Sequence, residues 1–278
     1  MKTEQGTFLA FGGLELFYQS WLPDDAPRAA LVIVHGAGDH SGRYARLVEP
    51  LVRRGIAVFG FDLRGYGRSP GRRGHINAWD EYREDVRAFL EFVRRKLPAG
   101  LPVFLFGYSL GAQIVLDYVL RSPAGVQGAI LSGAPIEPAG IGSPIQIFAA
   151  RVLSRILPSL QMKLGNDING VSRDPQVLAD LAQDPLHHDF VTLRWGAEAL
   201  RIGAWVRSQA AQVRLPVLFI HGEADPFNLA SGVRRYFEQI PYPDKALHIY
   251  PDCRHETHND LDHAQVAADI GDWIEAHL

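Results

Sequence analysis

The sequence predicts an α/β fold: a mostly parallel sheet flanked by helices, with a helical cap inserted into it. Three observations carry this. Short apolar, β-branched runs alternate with longer amphipathic ones along most of the chain. One run ends in Gly107-Tyr108-Ser109-Leu110-Gly111, a glycine-bracketed serine between a strand and a helix. Between residues 135 and 211 the alternation stops and only helical patterns remain.

In chain order, Thr7–Phe11 and Glu15–Trp21 flank Gly12-Gly13 and read as a hairpin. Ala30–Val34 is a buried strand ending in His35-Gly36-Ala37-Gly38. A helix follows near Tyr44–Arg54, burying Leu47, Val48, Leu51 and Val52. Ile56–Phe61 is a strand, Trp79–Leu97 a long helix, Val103–Gly107 a strand, Leu110–Arg121 a helix and Gly128–Leu131 a strand. In the insertion, Ser143-Pro144 pairs an N-cap with proline at the first helical position. Behind it Ile145, Phe148, Ala149, Val152, Leu153, Ile156 and Leu157 form an apolar stripe. Such a stripe is expected to pack on the domain beneath; transient contact with a membrane surface is the alternative. The α/β rhythm resumes with Val217–His221, a helix near Leu229–Gln239, a strand Ala246–Tyr250 and a last helix near His263–His277. Residues 1–134 and 212–278 then form one sheet-based core and 135–211 its cap, a length of insertion that is usually functional.

A net charge of −3 with 47% hydrophobic residues suits a globular core, and since neither sign of charge dominates, nucleic acid is not expected as a partner. The single cysteine, Cys253, excludes an internal disulfide and a cysteine-based metal cluster. Met1–Thr7 has no apolar leader and no run suits a spanning helix, so a cytoplasmic location, peripheral to a membrane at most, is expected.

The chemistry centres on Ser109. With 12 serines and 27 glycines in 278 positions, chance supplies about 0.1 such Gly-x-Ser-x-Gly match per chain. A turn this tight strains the serine and needs glycine two residues to either side. The hydroxyl then stands at a helix N-terminus, where free N–H groups favour developing negative charge. Such a serine needs an imidazole to take its proton and a carboxylate to orient the imidazole. In strand–turn–helix elbows of this kind both follow later in the chain, on loops after strands. Of the downstream histidines only His255 and His258 fall in the loop after the last strand, and His255 is the nearer to its end. Asp225, just beyond Val217–His221, is the preferred acid, with Glu223 and Asp252 as rivals. The oxyanion donors are expected to be the N–H groups of Leu110 and Ala37. Acyl transfer of this type needs no metal and no organic cofactor.

Several stretches together resemble monoacylglycerol lipases and related lysophospholipases of the α/β-hydrolase fold. They are His35-Gly36-Ala37-Gly38-Asp39-His40-Ser41-Gly42-Arg43-Tyr44, Asp62-Leu63-Arg64-Gly65-Tyr66-Gly67-Arg68-Ser69, the Ser109 elbow, Asp184-Pro185-Leu186 and His255-Glu256. The resemblance implies a lipid ester as small-molecule substrate, a Ser109–His255–Asp225 triad, and a cap over a lipid-accepting channel. It also implies that Asp39, Arg43 and His258 lie near the glycerol end of the substrate. The family commonly has Gly-His-Ser-Met-Gly-Gly at the elbow and glutamate where Asp39 stands. A lysophospholipase, a short-chain carboxylesterase and a peptidase of the same fold share the catalytic pattern.

Overall fold

The computed structural model describes residues 1–140, 144–165 and 167–278, and gives the backbone alone for 144–147, 149 and 150. Strands β1 (Lys2–Leu9) and β2 (Glu15–Leu22) form the hairpin, joined through a 3-10 turn at Phe11–Gly13 in which Gly12 has φ 74°. Then come β3 (Ala29–Val34), α1 (Ala45–Arg53), β4 (Ile56–Phe61), α2 (Asp80–Lys96), β5 (Val103–Tyr108), α3 (Leu110–Arg121) and β6 (Gly128–Ser132). The inserted segment carries α4 (Pro144–Ile156), β7 (Gln161–Lys163), α5 (Pro175–Gln183), β8 (Phe190–Thr192) and α6 (Leu193–Ser208). The core closes with β9 (Val217–Gly222), α7 (Ala230–Glu238), β10 (Lys245–Tyr250) and α8 (His263–Glu275).

Eight strands form one sheet in the order β1-β2-β4-β3-β5-β6-β9-β10. The hairpin joins it antiparallel, and every pairing from β4 through to β10 is parallel. Helices cover both faces, so the central strands are apolar throughout rather than alternating. Their side chains divide between two cores. Leu105 of β5 and Phe59 of β4 join α2, α3 and α7 on one face, while Phe104, Phe106 and Val58 join α1 and α8 on the other. Each fully buried side chain of this kind stabilises the fold by roughly 1.5–3 kcal/mol over an exposed one.

Two expectations for the insertion need correction. A strand pair exists there: β7 and β8 are antiparallel, but at three residues each they are too short to leave a periodic signature. The α4 stripe is not packed on the domain beneath, since Phe148 is 67% and Ile156 70% exposed, and Val152, Leu153 and Leu157 are exposed too. Amphipathic periodicity reports an apolar face without saying what covers it. The expected cap Ser143 lies outside the described residues, as do the side chains of Ile145 and Ala149. Among the described residues no helix is long and apolar enough to cross a membrane.

Candidate active site

Strand β5 sits centrally, and its C-terminal end opens where the strand order reverses, the position at which open α/β sheets form crevices. There Ser109 takes φ 53° and ψ −115°, and it is the sole non-glycine with positive φ among the described residues. Such a conformation costs about 1–3 kcal/mol. It is held by Ser109 N–H donating to Ser132 O at 2.9 Å, and by Ala112 and Gln113 N–H donating back to Ser109 O. The flanking glycines are dictated by space. A Cβ at Gly107 would lie 2.4 Å from Gly111 O, and one at Gly111 only 1.9 Å from Val34 O.

The Ser109 hydroxyl lies 2.9 Å from His255 Nε2, and His255 Nδ1 lies 2.7 Å from Asp225 Oδ2. A carboxylate only accepts, so Nδ1 carries the ring proton and Nε2 accepts from Ser109. Asp225 reaches this position from the loop after β9. Its Oδ1 accepts from Phe227 and Asn228 N–H at 2.9 and 3.1 Å, while Oδ2 is also 3.3 Å from His221 Nε2. Burial, the strongest influence on Asp225, pushes its pKa up. The charge and hydrogen bond of His255, His221 and the Asn228 N–H outweigh burial and leave it below the ordinary carboxylate range. Glu223 instead pairs with Arg234 on the surface, and Asp252 is exposed.

The loop 35–38 delivers the N–H of Ala37. Its neighbour His35 is fully buried, donating from Nδ1 to Gly36 O at 2.7 Å and accepting at Nε2 from Leu63 N–H at 2.9 Å, which ties this loop to the one after β4. Neither Ala37 N–H nor Leu110 N–H has a hydrogen-bond partner among the described residues. Both are open donors beside Ser109, Leu110 because a first helical residue has no intrahelical acceptor. Asp62 accepts from Ser41 N–H, Ser41 Oγ and Arg68 N–H, so the 62–69 motif braces the adjoining loop rather than reaching Ser109.

Beside this lies a buried polar cluster. Arg43 donates to Asp39 Oδ1 at 3.1 Å and to Glu256 Oε2 at 2.8 Å, and Tyr44 OH donates to Asp39 Oδ2 at 2.8 Å. Burial presses both acids upward. Arg43, His35 and His40 overcome this at Asp39, which stays low, whereas Glu256, deeper and facing Asp39, is raised. Asp39 and Arg43 line the cavity beside Ser109. His258 does not. It is 1% exposed and stacked on Tyr44 at 4.7 Å, and Tyr108, which lines the cavity, abuts it edge-on at 5.0 Å. Its expected place at the substrate's polar end is therefore corrected: it packs behind the wall.

Burial pushes the His258 imidazole down to about 3. The unfolded chain binds a proton there below about pH 6.5, and the folded protein does not. Above that pH the residue leaves stability unchanged; below it, it removes roughly 1.4 kcal/mol per pH unit until about pH 3. His258→Phe, which keeps the ring stack, should therefore lessen the loss of stability between pH 6.5 and 5 by about 2 kcal/mol. Urea midpoints at the two pH values check this, and an unchanged loss would refute it.

The cavity has a volume of about 350 Å³. The inserted segment supplies one side, including Leu164, Ile168, Val171, Leu181 and His187. Hydrogen bonds fasten that segment to the core, among them His188 N–H to Gly38 O, Thr192 N–H to Gly74 O, His40 Nε2 to Asp184, Glu256 N–H to Val171 O and Gln113 Nε2 to Ala199 O. His187 and His188, histidines of the insertion, also stand in the cavity wall, a place that nothing in the two residues themselves announces. The motif Asp184-Pro185-Leu186, whose aspartate holds His40, was the available signal. Among the described residues no cluster of three or more His, Cys, Asp or Glu could hold a metal ion.

Residues 25–262 match the family described as serine aminopeptidase, S33. The chain is 32% identical to a monoacylglycerol lipase of Mycolicibacterium smegmatis over 98% of its own length and 97% of that protein's. It is 30% identical to the phospholipase YtpA of Bacillus subtilis, covering 87% of this chain and 93% of that one. The crystal structure of a Paleococcus ferrophilus monoacylglycerol lipase superposes with a TM-score of 0.86 at 30% identity, covering 95% of this chain and all of that one.

Proposed function

Starting from the fact that this chain belongs to the serine aminopeptidase, S33, family of α/β-hydrolases, we propose that it hydrolyses the ester bond of monoacylglycerols. The observation that carries this reading is the hydrogen-bonded run Ser109–His255–Asp225 at a cavity with an apolar wall and a polar end. Ser109 is the nucleophile. His255 takes its proton as Oγ attacks the ester carbonyl, and the N–H groups of Ala37 and Leu110 hold the oxyanion. Collapse expels the alcohol, which leaves with the proton from His255. Water, deprotonated by the same imidazole, then releases the fatty acid and restores the serine. Asp225 holds the imidazole in the accepting tautomer. Residues 135–211 act as a cap whose apolar residues receive the acyl chain, while Asp39 and Arg43 face the glycerol.

The names of the relatives support a monoacylglycerol before a phospholipid, and the cavity supports an ester before an aminopeptidase substrate. An aminopeptidase needs a free carboxylate for the substrate's ammonium. Here Asp39 and Glu256 are both bound to Arg43, and Asp189, the other acid on the wall, is exposed beside Lys163. Purified protein should turn over a medium- or long-chain monoacylglycerol much faster than a lysophospholipid, a C2–C4 ester or an aminoacyl anilide. A preference for any of those three ends this assignment.

The exposed face of α4 supports contact with a lipid surface, where such substrates reside. Phe148 and Ile156 lie there together with exposed Arg151 and Arg155, a pairing of apolar and cationic groups that suits anionic phospholipid. Replacing Phe148 and Ile156 by serine should release the protein from anionic vesicles in flotation while leaving hydrolysis of a dispersed short ester intact. Undiminished flotation of that variant would exclude the face.

A further inference from the structure

His187 lines the cavity, the mechanism has no use for it, and its ring is positioned by backbone hydrogen bonds. His187 N–H donates to Asp184 O at 3.2 Å, and the next N–H, of His188, donates to Gly38 O at 3.2 Å. Asp184 is itself held by His40 Nε2 at 2.7 Å, and His40 Nδ1 accepts from Gly42 N–H, so the tautomer of that tie is set. Gly38 has φ 76°, and a Cβ there would come within 3.2 Å of His187 Cε1 and 2.3 Å of His188 O. The imidazole thus rests on the residue next to Ala37 and shares the cavity with Asp39 and Arg43.

Its hydrogen bonding is incomplete. Gly38 O approaches the ring, but no contact of either ring nitrogen among the described residues reaches good hydrogen-bond geometry; Nδ1 is sealed, and Nε2 is not. Burial, reinforced by the Arg43 charge, keeps the ring neutral, so it carries one N–H. A proton on Nδ1 would be an unmet buried donor, so the proton sits on Nε2 and meets the cavity. Arg43 and Asp39, which share the cavity with it, are already engaged. Arg43 commits Nη1 and Nη2 to Asp39 and Glu256, and the Asp39 oxygens accept from Arg43 and Tyr44.

An ester with one apolar and one polar arm aligns with this cavity in one direction, its acyl chain toward Leu164, Ile168 and Leu181 and its alcohol toward Asp39, Arg43 and His187. We propose that His187 is a specificity-determining residue, donating from Nε2 to a free hydroxyl oxygen of the leaving alcohol and so selecting monoesters of polyols over esters of simple alcohols. This rests on the ester-hydrolase reading above.

The test compares kcat/KM for a monoacylglycerol and for the methyl ester of the same fatty acid. His187→Phe should lower the first by about 5- to 10-fold, the range of one neutral hydrogen bond, and leave the second within about twofold. His187→Gln, which keeps a donor, should recover part of the loss. An equal fall for both esters would make His187 a prop for the 36–40 loop and overturn the proposal, as would no fall for either. A wild-type protein that cleaves the methyl ester and ignores the monoacylglycerol would instead overturn the substrate reading, so the two failures are distinguishable.

Discussion

Ser109→Ala is expected to lower hydrolysis of a chromogenic ester by at least about 10⁴-fold, because the members of such a unit fail together. The Ala37 and Leu110 donors and the cavity survive the substitution, so substrate still binds, but no nucleophile remains for His255 to activate. Alanine inherits the strained backbone unchanged, and one part-buried hydrogen bond to His255 is lost, so thermal unfolding should move little. Labelling by a fluorophosphonate probe should vanish with the activity. Near-normal turnover by the folded variant would remove Ser109 from the mechanism.

Asp225→Asn should be almost as damaging, at about 10³–10⁴-fold in kcat, for a reason that lies in the hydrogen-bond directions. Oδ1 accepts from two backbone N–H groups and Oδ2 from His255. An asparagine here must keep its oxygen toward the two N–H groups and turn its NH₂ toward the imidazole. His255 Nδ1 then becomes the acceptor and the proton shifts to Nε2, which donates to Ser109 and can no longer take its proton. Fold and substrate affinity should persist. A variant with full kcat would show that the carboxylate has no part in setting the tautomer.

How much of this was legible varied with the range of the forces involved. The turn at Ser109 could be read because its requirements are local: glycine at 107 and 111 is forced by atoms within a few residues and by one neighbouring strand. His255 could be picked from the loop after β10, yet His258, three residues on, was misplaced. Both sit in the same loop, and only the packing of Tyr44 and Tyr108 around one of them decides which faces the cavity. The Arg43–Glu256 bond joins residues 213 apart, a distance at which no motif speaks. The stripe on α4 gave a helix correctly and its environment incorrectly, since a lipid-facing surface and a core-facing one share the same 3.6-residue period.

The split of the central strands between two cores has a further meaning for the chemistry. Gly107 lies opposite Val34 and Tyr108 opposite Ser132, while Phe104 and Phe106 point to one side and Val103 and Leu105 to the other. Sliding β5 by one position would exchange those sets, pressing large rings into space shaped for smaller groups. The same slip would carry the Ser109 hydroxyl about 3.3 Å along the strand axis, more than the whole 2.9 Å that separates it from His255. The bulk of four interior side chains is thus the ruler that sets the distance of the Ser109 hydroxyl from the His255 imidazole.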